Sequence, residues 1–237
     1  MNAAAVKTLA GILAVAILAS GCAHTVEYDL SQQDKVSGKK ISQVVEVKKF
    51  MDSIPKRTEG VVVIDGEDWR TNPQRGYKNE DVAGSVTTMV ARHLGHSDLF
   101  TGVVCKEAKE KPKKDPGEPS LILTGTITEY SVFGKVNELG ETTSGVASMF
   151  GLAGALAGLA ANSDENTELR VKVELKNLEL KDVKTGKVLW RDYIAVNKHI
   201  TEDFEAAHPQ AVYNYADEGL KEAVDQMIKR MSAQLAR

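Results

Sequence analysis

Cysteine is scarce, with two in 237 residues, so the chain is not a disulfide-stapled scaffold. Aromatic residues make up only 5%, and 30 Lys and Arg face 33 Asp and Glu with no dense basic block. Sequence-independent phosphate binding needs clustered cations, so no nucleic-acid partner is expected. Long charge-free apolar runs are also rare, one at the N-terminus and one mid-chain. What is present, 42% hydrophobic and 27% charged residues, suits a globular protein and excludes a disordered or collagen-like chain.

The N-terminal run begins after Lys7 and extends from Thr8 to Ala19 without a charge. A basic start, a short apolar stretch and small residues before a break form a secretory signal. The run is short for a membrane span, which takes ~20 apolar residues. It ends in Leu18-Ala19-Ser20-Gly21-Cys22, small residues followed by a thiol. This stretch resembles a bacterial lipoprotein lipobox, with Ala19 where leucine is commonest. The resemblance implies that residues 1–21 are a lipoprotein signal peptide and that Cys22 carries the lipid. It also implies an anchor of several acyl chains, each buried CH₂ adding about 0.8 kcal/mol. Loss of Lys7 with the signal leaves a net charge of −4 on the mature chain. Ala23 stands where the inner-membrane retention signal places aspartate, so the resemblance favours the outer membrane, with the domain facing the periplasm.

Residues 22–40 are polar and without a sustained period, the pattern of a flexible tether. The folded domain is expected over 41–237. Ile41 to Met51 fits a strand or a short helix, and Val61 to Ile64 a buried strand followed by a loop to residue 79. The first helix is expected from Glu80 to Leu94, with Asn79 as N-cap and Gly95 ending it. Strands follow at Phe100–Cys105 and Leu121–Phe133, with an exposed Pro-rich loop between them. Leu169, Val171, Val173 and Leu175 alternate strictly, then the phase slips at Asn177 to Leu178 and Leu180, marking a bulge. Lys184-Thr185-Gly186 turns the chain into a strand from Val188 to Val196. Leu220, Val224, Met227, Ile228, Met231 and Leu235 stripe a last helix, with Lys221, Asp225, Lys229 and Arg230 outside. The expected fold is a single α+β domain, an antiparallel-rich sheet with two main helices packed on one face.

Residues 144–161 form a charge-free Gly/Ala-rich insertion in which Gly154 and Gly158 make a G-x-x-x-G pair. Small residues at this spacing let helices approach closely. The segment reads as buried core, as a membrane or oligomer contact, or, least in keeping with its residues, as a phosphate cradle. The contact reading makes Phe150, Gly151, Gly154 and Gly158 the candidate membrane or interface residues, and a homo-oligomer one expected partner.

Candidate chemistry is sparse. His93 and His96 lie near Asp98, but the expected helix end between them and the lack of H-E-x-x-H or paired cysteines argue against a metal. His199 and His208 lie among acids without a nucleophile motif, and Cys105 reads as a strand thiol of low reactivity. No G-x-S-x-G or Rossmann fingerprint occurs, so no catalytic residue, cofactor or enzyme activity is expected.

The order of features carries a second resemblance. A strand and loop at Val61–Arg70, a helix ending in His96-Ser97-Asp98-Leu99-Phe100-Thr101-Gly102-Val103-Val104, then Leu123-Thr124-Gly125-Thr126-Ile127-Thr128-Glu129-Tyr130 lead to Lys184-Thr185-Gly186-Lys187-Val188-Leu189-Trp190. This order resembles small periplasmic domains of envelope lipoproteins: the curli-secretion lipoproteins, the penicillin-binding-protein activators and the N-terminal domain of the Tol-Pal translocation protein TolB. It implies a non-enzymatic binding or assembly factor for an envelope complex, anchored through lipid, its protein partner unidentified. Two alternatives stay open: an oligomeric export channel that inserts the Gly/Ala segment, and a lipid- or glycan-binding module.

Overall fold

Alternating apolar residues from Leu121 build the longest strand, β6 (Leu121–Lys135), and the rest of the sheet is arranged around it. The computed structural model describes residues 25–31, 35–36, 40–55, 62–65, 68–71, 81–108, 116–135, 169–200 and 209–235. One edge of β6 is shared in succession by β1 (Ile41–Val47), β2 (Met51–Asp52) and β4 (Asp68–Thr71). The other edge pairs along its length with β7 (Leu169–Asp182), which pairs with β8 (Val188–Ile200). β3 (Val62–Asp65) forms a hairpin with β4, and β5 (Phe100–Cys105) flanks β1.

The single α+β domain is as expected, but the sheet, of eight strands among the described residues, is mixed rather than antiparallel-rich. β1 runs parallel to both β5 and β6, and β2 runs parallel to β6. Parallel neighbours need a long crossover, and the chain between β1 and β5 supplies one through helix α1 (Val82–His96). The stretch from Ile41, open between strand and helix in the sequence, is strand β1. The segment from Asp68, expected as loop, is strand β4, and its register opposite Gly134 and Phe133 extends the sheet.

Helix α1 is capped by Asp81, whose carboxylate accepts the Gly84 N–H at 2.9 Å, and not by Asn79. Gly95 does not end it; the helix runs to His96, where Ser97 receives the chain and donates its Oγ–H to Leu94 O at 2.7 Å. The buried face of α1 holds Val82, Val86, Met89, Val90 and Leu94. Helix α2 (Pro209–Leu235) buries Leu220, Val224, Met227, Ile228 and Met231. Its approach to β7 is close: a Cβ on Gly219 would stand 2.5 Å from Val171 Cγ1.

The slip at Asn177 is a bulge, with Asn177 at φ 50° and the β7–β8 register shifting between Leu175 and Leu178. The tight turn is also as read. Gly186 takes φ 68° and its N–H donates to Asp182 O at 2.9 Å, while Asp182 Oδ1 accepts Thr185 N–H at 2.8 Å.

The tether expected over 22–40 is corrected in part. Val26, Tyr28 and Leu30 are each buried and belong to the hydrophobic core, and Val36 N–H donates to Ser97 O at 3.1 Å. Alternate residues point inward while Glu27 and Asp29 stay exposed, so residues 25–31 form an extended strap laid on the helices. Three buried apolar side chains at period two, together with hydrogen bonds to both helices, hold the segment.

Candidate functional site

The strap is fastened where polar residues interrupt the apolar faces of the two helices. His93 lies on the buried side of α1, fully enclosed, between Tyr28 and Asp225 of α2. Tyr28 Oη is 3.0 Å from His93 Nδ1, and His93 Nε2 is 3.1 Å from Asp225 Oδ1. Both ring nitrogens are therefore engaged, one with the tyrosine hydroxyl and the other with the Asp225 carboxylate. The two rings also meet edge-on, with centroids 5.5 Å apart. Burial, with the carboxylates of Asp225 and Asp217 added, pushes the Tyr28 phenol well above its usual value, so it stays a hydroxyl donor.

A second fastening lies one step along. The buried Asp217 carboxylate accepts the Glu27 N–H at 2.9 Å and a close hydrogen bond from the Tyr130 hydroxyl of β6. Glu27 in turn lies 3.5 Å from Arg92 of α1. Strap, both helices and the central strand therefore meet in one polar cluster. A hydroxyl–imidazole–carboxylate chain can relay protons in an open cleft. Here Tyr28 and His93 are enclosed, and the chain links three separate segments.

Two smaller polar groups lie elsewhere. Thr87 Oγ donates to Ala83 O at 2.6 Å and accepts Phe50 N–H at 3.0 Å, joining the link between β1 and β2 to α1. On the opposite flank, burial would raise the Glu46 carboxyl. Hydrogen bonds from Lys48 at 2.8 Å and Lys106 at 3.1 Å outweigh it and hold the group below its ordinary value.

Of the residues singled out from sequence, His93 and His96 do not converge. His93 is enclosed, while His96 is exposed and turns its Nδ1 to Arg92 O at 3.2 Å. Asp98, at φ 56°, pairs with Lys35 at 2.8 Å. His199 is exposed on β8, and His208 lies outside the described residues. Cys105 is a half-buried free thiol on β5, and burial pushes its pKa up, away from reactive thiolate. Cys22, Phe150, Gly151, Gly154 and Gly158 lie outside the described residues. Among the described residues no group of acids, histidines and cysteines is arranged to hold a metal, and no helix is long and apolar enough to cross a membrane.

No family model matches the chain. No curated protein matches it in sequence. Solved structures similar to it include protein XCC0632 from Xanthomonas campestris, of family-model DUF330, at 10% identity and a TM-score of 0.47 over 85% of this chain and 89% of that one. A PelC dodecamer from Paraburkholderia phytofirmans is 12% identical, with a TM-score of 0.38 over 84% and 96%. A candidate neuraminyllactose-binding hemagglutinin homolog from Helicobacter pylori is 15% identical, with a TM-score of 0.41 over 87% and 90%.

Sequence reasoning missed the strap and its polar partners, although signals for both exist. Val26, Tyr28 and Leu30 alternate with Thr25, Glu27 and Asp29, a short period-two run. His93 falls at helical spacing from Met89 and Val90, on the apolar face. Asp217 likewise falls on the face of Tyr213, Leu220 and Val224. Asp225, expected to stay outside α2, is half-exposed and reaches back to His93.

Proposed function

We propose that the protein is a lipid-anchored lipoprotein of the bacterial envelope, acting without catalysis as a binding or assembly factor at the outer membrane. The observation that carries this reading is the Leu18-Ala19-Ser20-Gly21-Cys22 run at the end of a charge-free apolar stretch behind Lys7. The strap supports it from the structural side. Val26, four residues beyond Cys22, is already buried in the hydrophobic core. A non-catalytic role is supported by how the polar cluster is used. Tyr28, His93, Asp217 and Asp225 connect the strap to α1, α2 and β6.

Metabolic labelling with a palmitate analogue tests the anchor. Wild type takes up label and sediments with membranes, whereas Cys22→Ser loses the label and is released. Label retained on Cys22→Ser overturns the assignment. Gentle detergent extraction tests the assembly role: a defined species larger than the monomer is expected, and a strictly monomeric, partner-free protein counts against it.

A further inference from the structure

We infer that the end of the domain carrying the α2 N-terminus is its lipid-facing surface, held on the membrane by the docked strap. This rests on lipidation of Cys22 and goes on to assign which end of the domain meets the bilayer. The direction of the strap decides it. Val36 sits at Ser97, Tyr28 at His93, whose other ring nitrogen meets Asp225, and Glu27 at Asp217, so the chain runs along α2 toward its first turn as it approaches Cys22. Five residues separate Glu27 from Cys22, a reach of at most ~18 Å when extended. From Asp217 to Leu235, the far end of α2, eighteen residues of helix span ~27 Å. A lipid on Cys22 therefore keeps the Glu27–Asp217 contact within about 18 Å of the bilayer while the strap is docked, and the far end of α2 lies ~27 Å further along the helix.

The same end of the sheet carries the close of β6 and the start of β7, paired at Gly134 and Leu169, and the close of β8, paired through Ile200 with Leu169. The connection from β6 to β7 leaves and re-enters the domain there. The β7–β8 turn at Lys184 and Gly186 lies at the opposite end, a β7 length of ~45 Å away.

The test uses full-length lipidated protein with Cys105→Ser, reconstituted in phosphatidylethanolamine–phosphatidylglycerol vesicles doped with a nickel-chelating lipid. Nitroxide labels are placed singly at Arg170→Cys, Asn214→Cys and Lys184→Cys, all exposed positions. With the two ends ~45 Å apart, nickel-induced relaxation at residues 170 and 214 should exceed that at 184 about fivefold or more. Equal relaxation, or more at 184, overturns the inference while acylation of Cys22 leaves the lipoprotein reading intact. Absence of acylation on wild type removes both. A long Gly/Ser spacer between Ala23 and His24 should bring the contrast below about twofold, because the anchor then reaches past the whole of α2. A contrast that survives the spacer shows that the strap does not set the orientation, and overturns that part of the proposal.

Discussion

Replacing Tyr28 by alanine should release the strap at a smaller cost than a core aromatic usually carries. Burial of Val26, Tyr28 and Leu30 contributes about 2 kcal/mol each. The Tyr28–His93 and Glu27–Asp217 hydrogen bonds add about 1 kcal/mol each, and the edge-on ring contact about 1 more. Against this total of ~9 kcal/mol, ordering seven residues costs ~7 to 14 kcal/mol of backbone entropy. The strap is therefore held by no more than ~2 kcal/mol, whereas truncating a core aromatic costs about 3–5 kcal/mol. Once Tyr28→Ala exceeds the docking free energy, the strap lets go and the loss stops growing. Urea unfolding should show Tyr28→Ala costing ~2 kcal/mol or less, with the slope nearly unchanged. In hydrogen exchange the Glu27 amide should be protected by ~30-fold at most in wild type and by nothing in the variant. A loss above ~4 kcal/mol, with Glu27 as protected as the β7 amides, would refute the calculation by making the strap an integral part of the core. An unprotected Glu27 amide in wild type would refute docking itself.

Two glycines of the helices should respond in opposite directions. Gly219→Ala drives a Cβ to 2.5 Å from Val171 Cγ1 and 3.1 Å from Val173 Cγ2, and should cost ~1–3 kcal/mol by thermal denaturation despite alanine's better helix propensity. Gly95→Ala meets no atom within 4 Å on an exposed turn of α1, and should raise stability by about 0.5–1 kcal/mol. Asp81→Ala removes the acceptor of Gly84 N–H and should cost ~1 kcal/mol, read as fraying of the first turn of α1 in hydrogen exchange. For Glu46, Asp81 and Glu174 burial raises the carboxyl pKa, but hydrogen bonds from Lys48, Lys49 and Lys176 respectively outweigh it and the net shift is downward. Their stabilisation is full above the unfolded value of ~4 and is lost as pH falls through the lower folded values, so the urea midpoint should drop below pH 4. A midpoint unchanged from pH 6 to pH 3 would contradict those ion pairs.

The β7–β8 hairpin and α2 were legible because each buries one face at its own period. Leu169 to Leu175 alternates at two residues, Leu220 to Met231 recurs at three and four, and the slip at Asn177 marks the bulge. Strand direction was not legible. Val44 to Val47 fits a parallel or an antiparallel neighbour equally, and the β3–β4 hairpin lies between β1 and α1 in sequence, so no simple strand–helix–strand order shows. The caps were displaced by two residues for a local reason. Asn79 and Asp81 are both acceptable N-caps, and Asp81 also meets Lys49 of the sheet side, a partner remote in sequence.

The strap escaped because its period-two pattern is only three apolar residues long and lies among charges, the composition of a tether. Its destination, however, was written on the helices. A histidine on the apolar face of α1 and an aspartate on that of α2 would each be costly to enclose alone, so each position requires a partner. Each also meets the same seven-residue segment, His93 through the Tyr28 hydroxyl in addition to Asp225, and Asp217 through the Glu27 amide in addition to Tyr130. Two independent buried polar residues answered by adjacent strap residues fix the direction of the strap as well as its presence. That direction carries the chain back along α2, and the five-residue step from Glu27 to Cys22 keeps the proposed anchor within about 18 Å of Glu27.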